Sequence, residues 1–417
     1  MNRTSIIILT HNLMMLTRLC LDSIRHNTDE PYEIIVVDNG SSDGTVSYLL
    51  GQPDITLIRN EHNLGFAKGC NQGLAAATGD TILFLNNDTI VTPGWLSRML
   101  RSLYSHDHIG MVGPVSNHVS GHQQIDVHYK SLDEINDFSA RHGAQFAGVS
   151  MDTRRVVGFC MLVKREVLEE VGGFDEQYGL GNYEDDDLCL RVIYSGYRIR
   201  IVYDSFIHHF GHMTMATLQE SSLSELLVLN REKASQKWGS EIHELLYKEA
   251  ATLTIVVPLR DRTVASHFQN MIHSVGLIAD EWIVIDYSGV GEDEATPLDS
   301  SKPIKLIQMK SEEELLWPHI CSTATQHYLL WISPEEIVTD LDVRRIHGLK
   351  IQLDDTVDGV SVLFEQGGGL SIVRRVRIVR RETEFDWNAA TQEFVMRPSA
   401  VVRKGDITVR SQRPLAL

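Results

Sequence analysis

The sequence predicts an α/β protein in which one layered unit, a largely parallel sheet with helices on both faces, is built twice. Short β-branched runs alternate with helical periodicity through residues 5–202, the runs end on polar turn-forming residues, and the same succession of runs returns after residue 250. At 417 residues the chain exceeds one ordinary core, and 43% hydrophobic with 23% charged residues are the proportions of a globular protein.

Residues 5–10 form a β-branched run ending in His11-Asn12, after which Leu13, Leu16, Cys20 and Ile24 recur at helical spacing, so strand, loop and helix follow one another. Asp29-Glu30-Pro31 breaks the chain. Residues 33–38 are a continuous apolar strand with Asp38 at its carboxyl end; the turn-rich Asn39-Gly40-Ser41-Ser42-Asp43-Gly44 follows, and a helix starts at Thr45. Residues 55–59 give a third strand, 64–77 a helix, and 81–85 a fourth strand ending in Asn86-Asn87-Asp88. In such sheets ligands sit beyond the carboxyl ends of the strands. Those ends carry Thr10-His11-Asn12, Asp38 and Asp88, which are expected to converge on one crevice.

Residues 112–149 are polar, histidine-rich and aperiodic, and are expected to be loops with one helix near 132–140. The spacing of His118, His122, His128 and His142 matches no compact metal-ligand set. A buried strand over 156–163, a helix over 164–171 and the turn Gly172-Gly173-Phe174-Asp175 lead to Tyr183-Glu184-Asp185-Asp186-Asp187, four consecutive carboxylates at the start of a helix that Gly196 caps. A strand over 199–202 follows. One or two acids suit a helix N-terminus. Four crowded carboxylates repel one another and raise at least one pKa, an arrangement kept mainly where a cation, a hydroxyl or a proton is handled.

Residues 220–249 read as an amphipathic helical connector. Beyond it, Thr254-Ile255-Val256-Val257 answers Ile6-Ile7-Ile8-Leu9, residues 281–286 answer 33–38 at the same offset, and Leu330-Trp331-Ile332-Ser333-Pro334-Glu335 parallels 84–88, which implies an internal duplication. The polar residues change: Leu259-Arg260 replaces His11-Asn12, Tyr287-Ser288 replaces Asn39-Gly40, and Glu335 replaces Asp88. No second acid-rich helix follows, so the second copy is expected to be noncatalytic, serving dimerisation or the binding of an acceptor. The run Arg374, Arg375, Arg377, Arg380 and Arg381, interleaved with Val376, Ile378 and Val379, fits an anion site and an exposed strand face about equally.

A net charge of −18 argues against a surface that grips nucleic acid or anionic lipid. Cys20, Cys70, Cys160, Cys189 and Cys321 lack any CxxC spacing, which fits reduced thiols in a cytoplasmic protein rather than a disulfide framework or a zinc site. No apolar run reaches the length of a signal peptide or a membrane span, so any membrane contact is expected to be peripheral.

Six pieces in order carry a resemblance: residues 5–12; residues 34–44; Asn63-Leu64-Gly65-Phe66-Ala67; Phe84-Leu85-Asn86-Asn87-Asp88; Gly172-Gly173-Phe174-Asp175; and Glu184-Asp185-Asp186-Asp187-Leu188-Cys189-Leu190-Arg191. Along roughly its first half the chain resembles the inverting family 2 glycosyltransferases with the GT-A fold, a Rossmann-like nucleotide-sugar-binding domain. The resemblance implies a catalytic domain over 1–218, a connector over 219–250 and a smaller, degenerate GT-A-like domain over 251–417. It implies transfer of a hexosyl or deoxyhexosyl unit from a UDP- or dTDP-sugar to a hydroxyl of a glycan, lipid-linked or protein acceptor, as in the assembly of a cell-surface polysaccharide. Asp185 is then the base that takes the acceptor proton, with Glu184 and Asp187 holding its pKa up or binding acceptor hydroxyls. Asp38 faces the N3–H of uracil or thymine. Thr10, His11, Asn12, Asn39, Asn63, Lys68, Asn86 and Asn87 line the donor. Asp88 is the ligand of Mn²⁺ or Mg²⁺, joined by His209, with His208 as the alternative register. Two readings compete with this one: a sugar- or nucleotide-binding protein without turnover, and a nucleotidyltransferase, which would want a glycine-rich basic loop where Thr10-His11-Asn12-Leu13 stands.

Overall fold

The computed structural model describes residues 3–211, 220–260, 271, 272, 274–287, 302–309, 317–366 and 371–411, with the side chains of 220–222 excepted. Ser288, named in the comparison of the two copies, lies outside these. By its contacts the chain divides into two units, Met1–Lys248 and Glu249–Leu417.

The first unit is built on a nine-stranded sheet. Its parallel half runs β3 (Ile55–Asn60), β2 (Tyr32–Asn39), β1 (Thr4–Thr10), β4 (Thr81–Asn86). Strands β1 and β4 are buried almost throughout because helices cover both faces, which is why they read as unbroken apolar runs. The mixed half continues with β8 (Cys160–Lys164), β6 (Ile109–Ser116), β9 (Arg198–His209) and β5 (Thr89–Val91), with β7 (Ser150–Thr153) paired to β9. The helices are α1 (Met14–Asn27), α2 (Thr45–Leu50), α3 (Phe66–Ala76), α4 (Trp95–Leu103), α5 (Ile135–Gln145), α6 (Arg165–Val171), α7 (Glu184–Tyr194), α8 (Glu220–Trp238) and α9 (Ile242–Tyr247).

Two sequence expectations need correction here. Residues 109–116, of which 112–116 are expected from the sequence to be loop, form the fully buried β6. Gly110, Gly113 and Pro114 hid it: a β-carbon on Gly110 would lie 2.8 Å from the Tyr197 side chain, so glycine is where another element packs close. Strand β9 does not end near residue 203 but runs to His209, which makes His208 and His209 strand residues rather than loop residues.

The segment read as a connector is two helices, α8 and α9, and both belong to the first unit. They hold it by polar contacts: Asn230 Nδ2 donates to the carbonyls of Tyr178 and Gly181, and Trp238 Nε1 donates to Asp187.

The second unit repeats the eight-strand path of the first sheet, without a counterpart of β7. Its sheet runs β12 (Ile304–Gln308), β11 (Glu281–Asp286), β10 (Leu253–Leu259), β13 (Tyr328–Trp331), β16 (Ser371–Arg380), β15 (Gly359–Gln366), β19 (Val402–Ser411), β14 (Glu336–Val338), with the same parallel and antiparallel pairings. A buried polar motif recurs too. Glu33 accepts from Ser5 Oγ and from the amide and hydroxyl of Thr78, while Glu281 accepts from Thr254 Oγ1 and from the amide and hydroxyl of Thr325. This repetition supports duplication more firmly than the apolar runs do. It also corrects the alignment by one residue: Thr10 pairs with Asp38 as Leu259 pairs with Asp286, so Arg260 stands at the position of His11.

After β16 the two units part. Where the first has α6 and the acid-rich α7, the second has a hairpin of β17 (Phe385–Asn388) and β18 (Glu393–Met396), whose Trp387 and Phe394 pack on Trp317 and Trp331. Nor is the basic run of β16 uniformly exposed. Arg377 is fully buried and donates twice to Glu336, at 2.8 and 3.2 Å. No helix among the described residues is long and apolar enough to cross a membrane.

Candidate active site

At the carboxyl ends of β1, β2 and β4 lies a cavity of about 330 Å³. Three stretches that are distant in sequence form its walls: His11, Asn39 and Asn63 on one side, Asn86, Asn87 and Asp88 after β4, and residues 180–186 leading into α7. Asp88, Glu184, Asp185 and His209 all face this one space.

The Asp88 end is fixed by strand pairing. Thr89 pairs with His209 across β5 and β9, and the amide of Phe210 donates to the carbonyl of Asp88, so the two side chains meet. His209 Nε2 lies 3.2 Å from Asp88 Oδ1, yet both atoms are buried without a hydrogen-bond partner. The other ring nitrogen, Nδ1, is 2.7 Å from the carbonyl oxygen of His118. A carbonyl only accepts, so Nδ1 carries the proton, and in the neutral ring Nε2 presents a lone pair to a carboxylate. Two Lewis bases facing each other with a backbone carbonyl behind the imidazole are the donor set and outer shell of a metal-ligating histidine. The residues present therefore fit a divalent ion. Among the described residues no three His, Cys, Asp or Glu side chains meet as a metal-holding group. Strand alternation also decides the histidine register: His208 turns to the other face of β9, against Tyr129 and Phe210, where burial lowers its pKa to about 4.

The opposite wall is α7. Its four acids have four different environments. Asp187 is wholly buried among Arg191, Lys237, Trp238 and Tyr178 and does not line the cavity, so the expectation that it tunes Asp185 or binds an acceptor gives way to a packing role. Asp186 pairs with Arg155 and with His243 Nε2; burial alone would raise its pKa, but the His243 hydrogen bond and the Arg155 charge outweigh that and lower it. Asp185 accepts from the amides of Gly158 and Asp186, each at 2.9 Å, and its pKa is raised by burial and by the charge of Asp186. Glu184 keeps Oε2 buried and unpartnered, and burial together with the charge of Asp185 pushes its pKa well above the usual carboxylate range. Of the four, the two that line the cavity, Glu184 and Asp185, both have their pKa raised, while Asp186 has its pKa lowered.

The entry to α7 is strained. Asn182 and Tyr183 have φ of 73° and 77°, a left-handed conformation costly for a bulky side chain. Asn230 holds it in place by binding the carbonyls that precede it. Gly65 is required opposite: a β-carbon there would stand 1.9 Å from the carbonyl oxygen of Gly179.

Several expected donor contacts lie elsewhere. Thr10 is buried, its hydroxyl engaged with Thr17 and Asn87. Asn12 adopts φ 58° and ties down the following turn through Ser41 and Ser42. Asp43 caps Thr45 and binds the Met14 amide. Lys68 is exposed on α3. None of these four lines the cavity, and neither does Asp38, which accepts from the Ser41 amide and keeps Oδ1 buried without a partner. Conversely, Arg155, Tyr183, Leu227 and His243 line it without having been singled out. Their one legible signal is indirect: four adjacent acids that become buried demand cations somewhere.

Residues 5–172 match the family model of glycosyl transferase family 2, and residues 140–216 match that of the N-terminal domain of galactosyltransferase. Residues 5–172 are a glycosyltransferase family 2 domain within the first unit. Its segment is 31% identical over 170 residues to a pre-mycofactocin glycosyltransferase of Mycobacterium tuberculosis, covering 40% of this chain and 35% of that one. It is 25% identical over 218 residues to the O-antigen chain rhamnosyltransferase RfbN of Salmonella typhimurium, covering 51% and 68%. The chain spans 23% to 35% of the length of several curated relatives it matches. A solved mannosyltransferase, PcManGT from Pyrobaculum calidifontis, superposes on half of the chain at 24% identity with a TM-score of 0.38. The segment matched by the family 2 model holds the parallel half-sheet with its strand-end cavity.

Proposed function

We propose that the family 2 unit transfers a hexosyl or deoxyhexosyl group from a UDP- or dTDP-sugar to a hydroxyl of a glycan, lipid-linked or protein acceptor, with inversion. The observation that carries this reading is the meeting of the Asp88–His209 pair and the Glu184–Asp185 pair across one cavity. In the reaction the acceptor O–H gives its proton to Asp185 while the oxygen bonds to the anomeric carbon; the bond from that carbon to the diphosphate breaks, and the diphosphate leaves with the electron pair. The raised pKa of Asp185, caused by burial and the charge of Asp186, makes it a stronger base than an exposed aspartate.

Asp88 and His209 would hold a divalent ion such as Mn²⁺ or Mg²⁺, which when bound would supply positive charge for the diphosphate leaving group. On the nucleotide side His11, Asn39, Asn63, Asn86 and Asn87 offer hydrogen-bond donors and acceptors. Five free cysteines, four of them buried, accord with a reducing, cytoplasmic setting. The hairpin that occupies the place of α7 supports a second unit without turnover.

The test is release of UDP or dTDP from a panel of nucleotide sugars with Mn²⁺ or Mg²⁺, with the anomeric configuration of the product read by NMR. Absence of release from every donor would reduce the unit to a binding module, and a retained configuration would remove the inverting mechanism. The metal assignment has its own readout: calorimetric titration of Mn²⁺ with the nucleoside diphosphate present should weaken about 10–100-fold in Asp88→Ala and in His209→Ala.

A further inference from the structure

The second unit has a cavity of its own, of about 190 Å³, and its position is informative. In the first unit Asp88 precedes Thr89, which pairs with His209; in the second Glu335 precedes Glu336, which pairs with Ser411. Leu83 pairs with Leu162 as Leu330 pairs with Ile378, and three residues back along each strand stand Phe159 and Arg375. Glu335, Ser411 and Arg375 line the second cavity as Asp88, His209 and Phe159 line the first. The cavity is therefore the duplicated counterpart of the metal end of the active site, with different chemistry.

The counterpart of the imidazole is a hydroxyl, and a guanidinium stands where a phenyl ring stood. Arg375 is held in place: its guanidinium lies 3.9 Å from the centre of the Phe364 ring and donates to the carbonyl of Thr391 at 2.6 Å. Arg377 neutralises Glu336, while Glu335 accepts from Ser333 Oγ and lies 3.8 Å from Arg260. A divalent cation entering here meets a fixed guanidinium, and a phosphate meets two carboxylates. A neutral ligand rich in hydroxyls meets neither penalty, because it donates to Glu335 and accepts from Arg375. The side-chain amides of Gln366 and Gln392 border the same space and, among the described residues, make no hydrogen bond with the chain. The nucleotide end has not survived: Arg260 and Tyr287, at the positions of His11 and Asn39, lie outside the lining.

We propose that this cavity is a metal-independent binding site for one neutral pyranose unit of a glycan, so that the second copy serves as a saccharide-binding module rather than a spent enzyme. The site stands on the second unit alone and does not depend on transfer by the first.

Saturation-transfer NMR on the full chain, in EDTA, with methyl glucopyranoside, galactopyranoside, mannopyranoside and rhamnopyranoside as probes, tests it. At least one probe is expected to bind, and Arg375→Ala to weaken it about tenfold or more, the loss of one hydrogen bond to a charged group. The double variant Gln366→Leu/Gln392→Leu should do the same, and it decides the matter if Arg375→Ala fails to fold. Nucleoside diphosphate binding by the first unit with Mn²⁺ should stay unchanged in both, which separates this result from any failure of the proposed transferase reaction. Binding that is undiminished in the folded variants, no binding by any probe, or displacement of the bound probe by inorganic phosphate overturns the proposal.

Discussion

At the scale of single residues, the site works by giving neighbouring carboxylates different surroundings. Asp185 rests on the amides of Gly158 and Asp186, whereas the adjacent Glu184 keeps Oε2 buried without a partner. Asp185→Asn is expected to lower kcat about 10²–10⁴-fold with donor affinity unchanged, since only the proton acceptor is lost; equal losses in donor binding and turnover would make Asp185 a binding residue. The base must be ionised, and its pKa is raised by burial and by Asp186, so kcat/KM should fall on acidification through a pKa above the usual aspartate value of 3.8. Glu184→Gln should leave that acid limb in place, because the titrating base, Asp185, is untouched. A limb that disappears in Glu184→Gln would transfer the role of base to Glu184.

At the scale of elements, α7 survives with four acids at its start because α8 and α9 bring cations and donors to it. Asp187 is buried with Lys237, Arg191 and Trp238 around it. Asp187→Asn leaves two charges without their partner and should cost about 3 kcal/mol in chemical denaturation. Asp186 holds α9 through His243, whose pKa is raised first by the Asp186 hydrogen bond. The sign follows: a histidine with a raised folded-state pKa stabilises fully below its unfolded value of 6.5, and this contribution is lost as pH rises through the folded value. His243 is partly exposed, so the pair is worth at most about 1 kcal/mol. Melting curves of the wild type and His243→Gln should differ by about 2–4 °C at pH 6 and converge by about pH 9; a gap independent of pH would mean that His243 acts by packing alone.

At the scale of the whole molecule, the chain is one sheet topology used twice, and among the described residues the acid-rich helix stands in the first copy alone. The boundary follows the contacts of α8 and α9 and not the end of the family match at residue 216. A fragment ending at 248 should fold and keep whatever nucleotide binding the full chain shows. One ending at 218 lacks Asn230, Lys237, Trp238 and His243, and should be insoluble or molten by near-UV circular dichroism. Native-like melting of the shorter fragment would show that these contacts are dispensable.

The sequence by itself determined the strands and helices of the parallel half-sheet, the duplication, and the polar residues that end β1, β2 and β4. These are written in local periodicity and in the types of a few residues, so Asp88 and Asp185 could be named before any coordinates. Only the tertiary structure decided which of His208 and His209 faces the cavity, because that depends on how far β9 extends and on the register of its pairing with β5. The same holds for the partners of the acids. Arg155, Lys237 and His243 come from separate elements with no periodicity in common, and which cation meets which carboxylate is fixed by packing rather than by spacing along the chain.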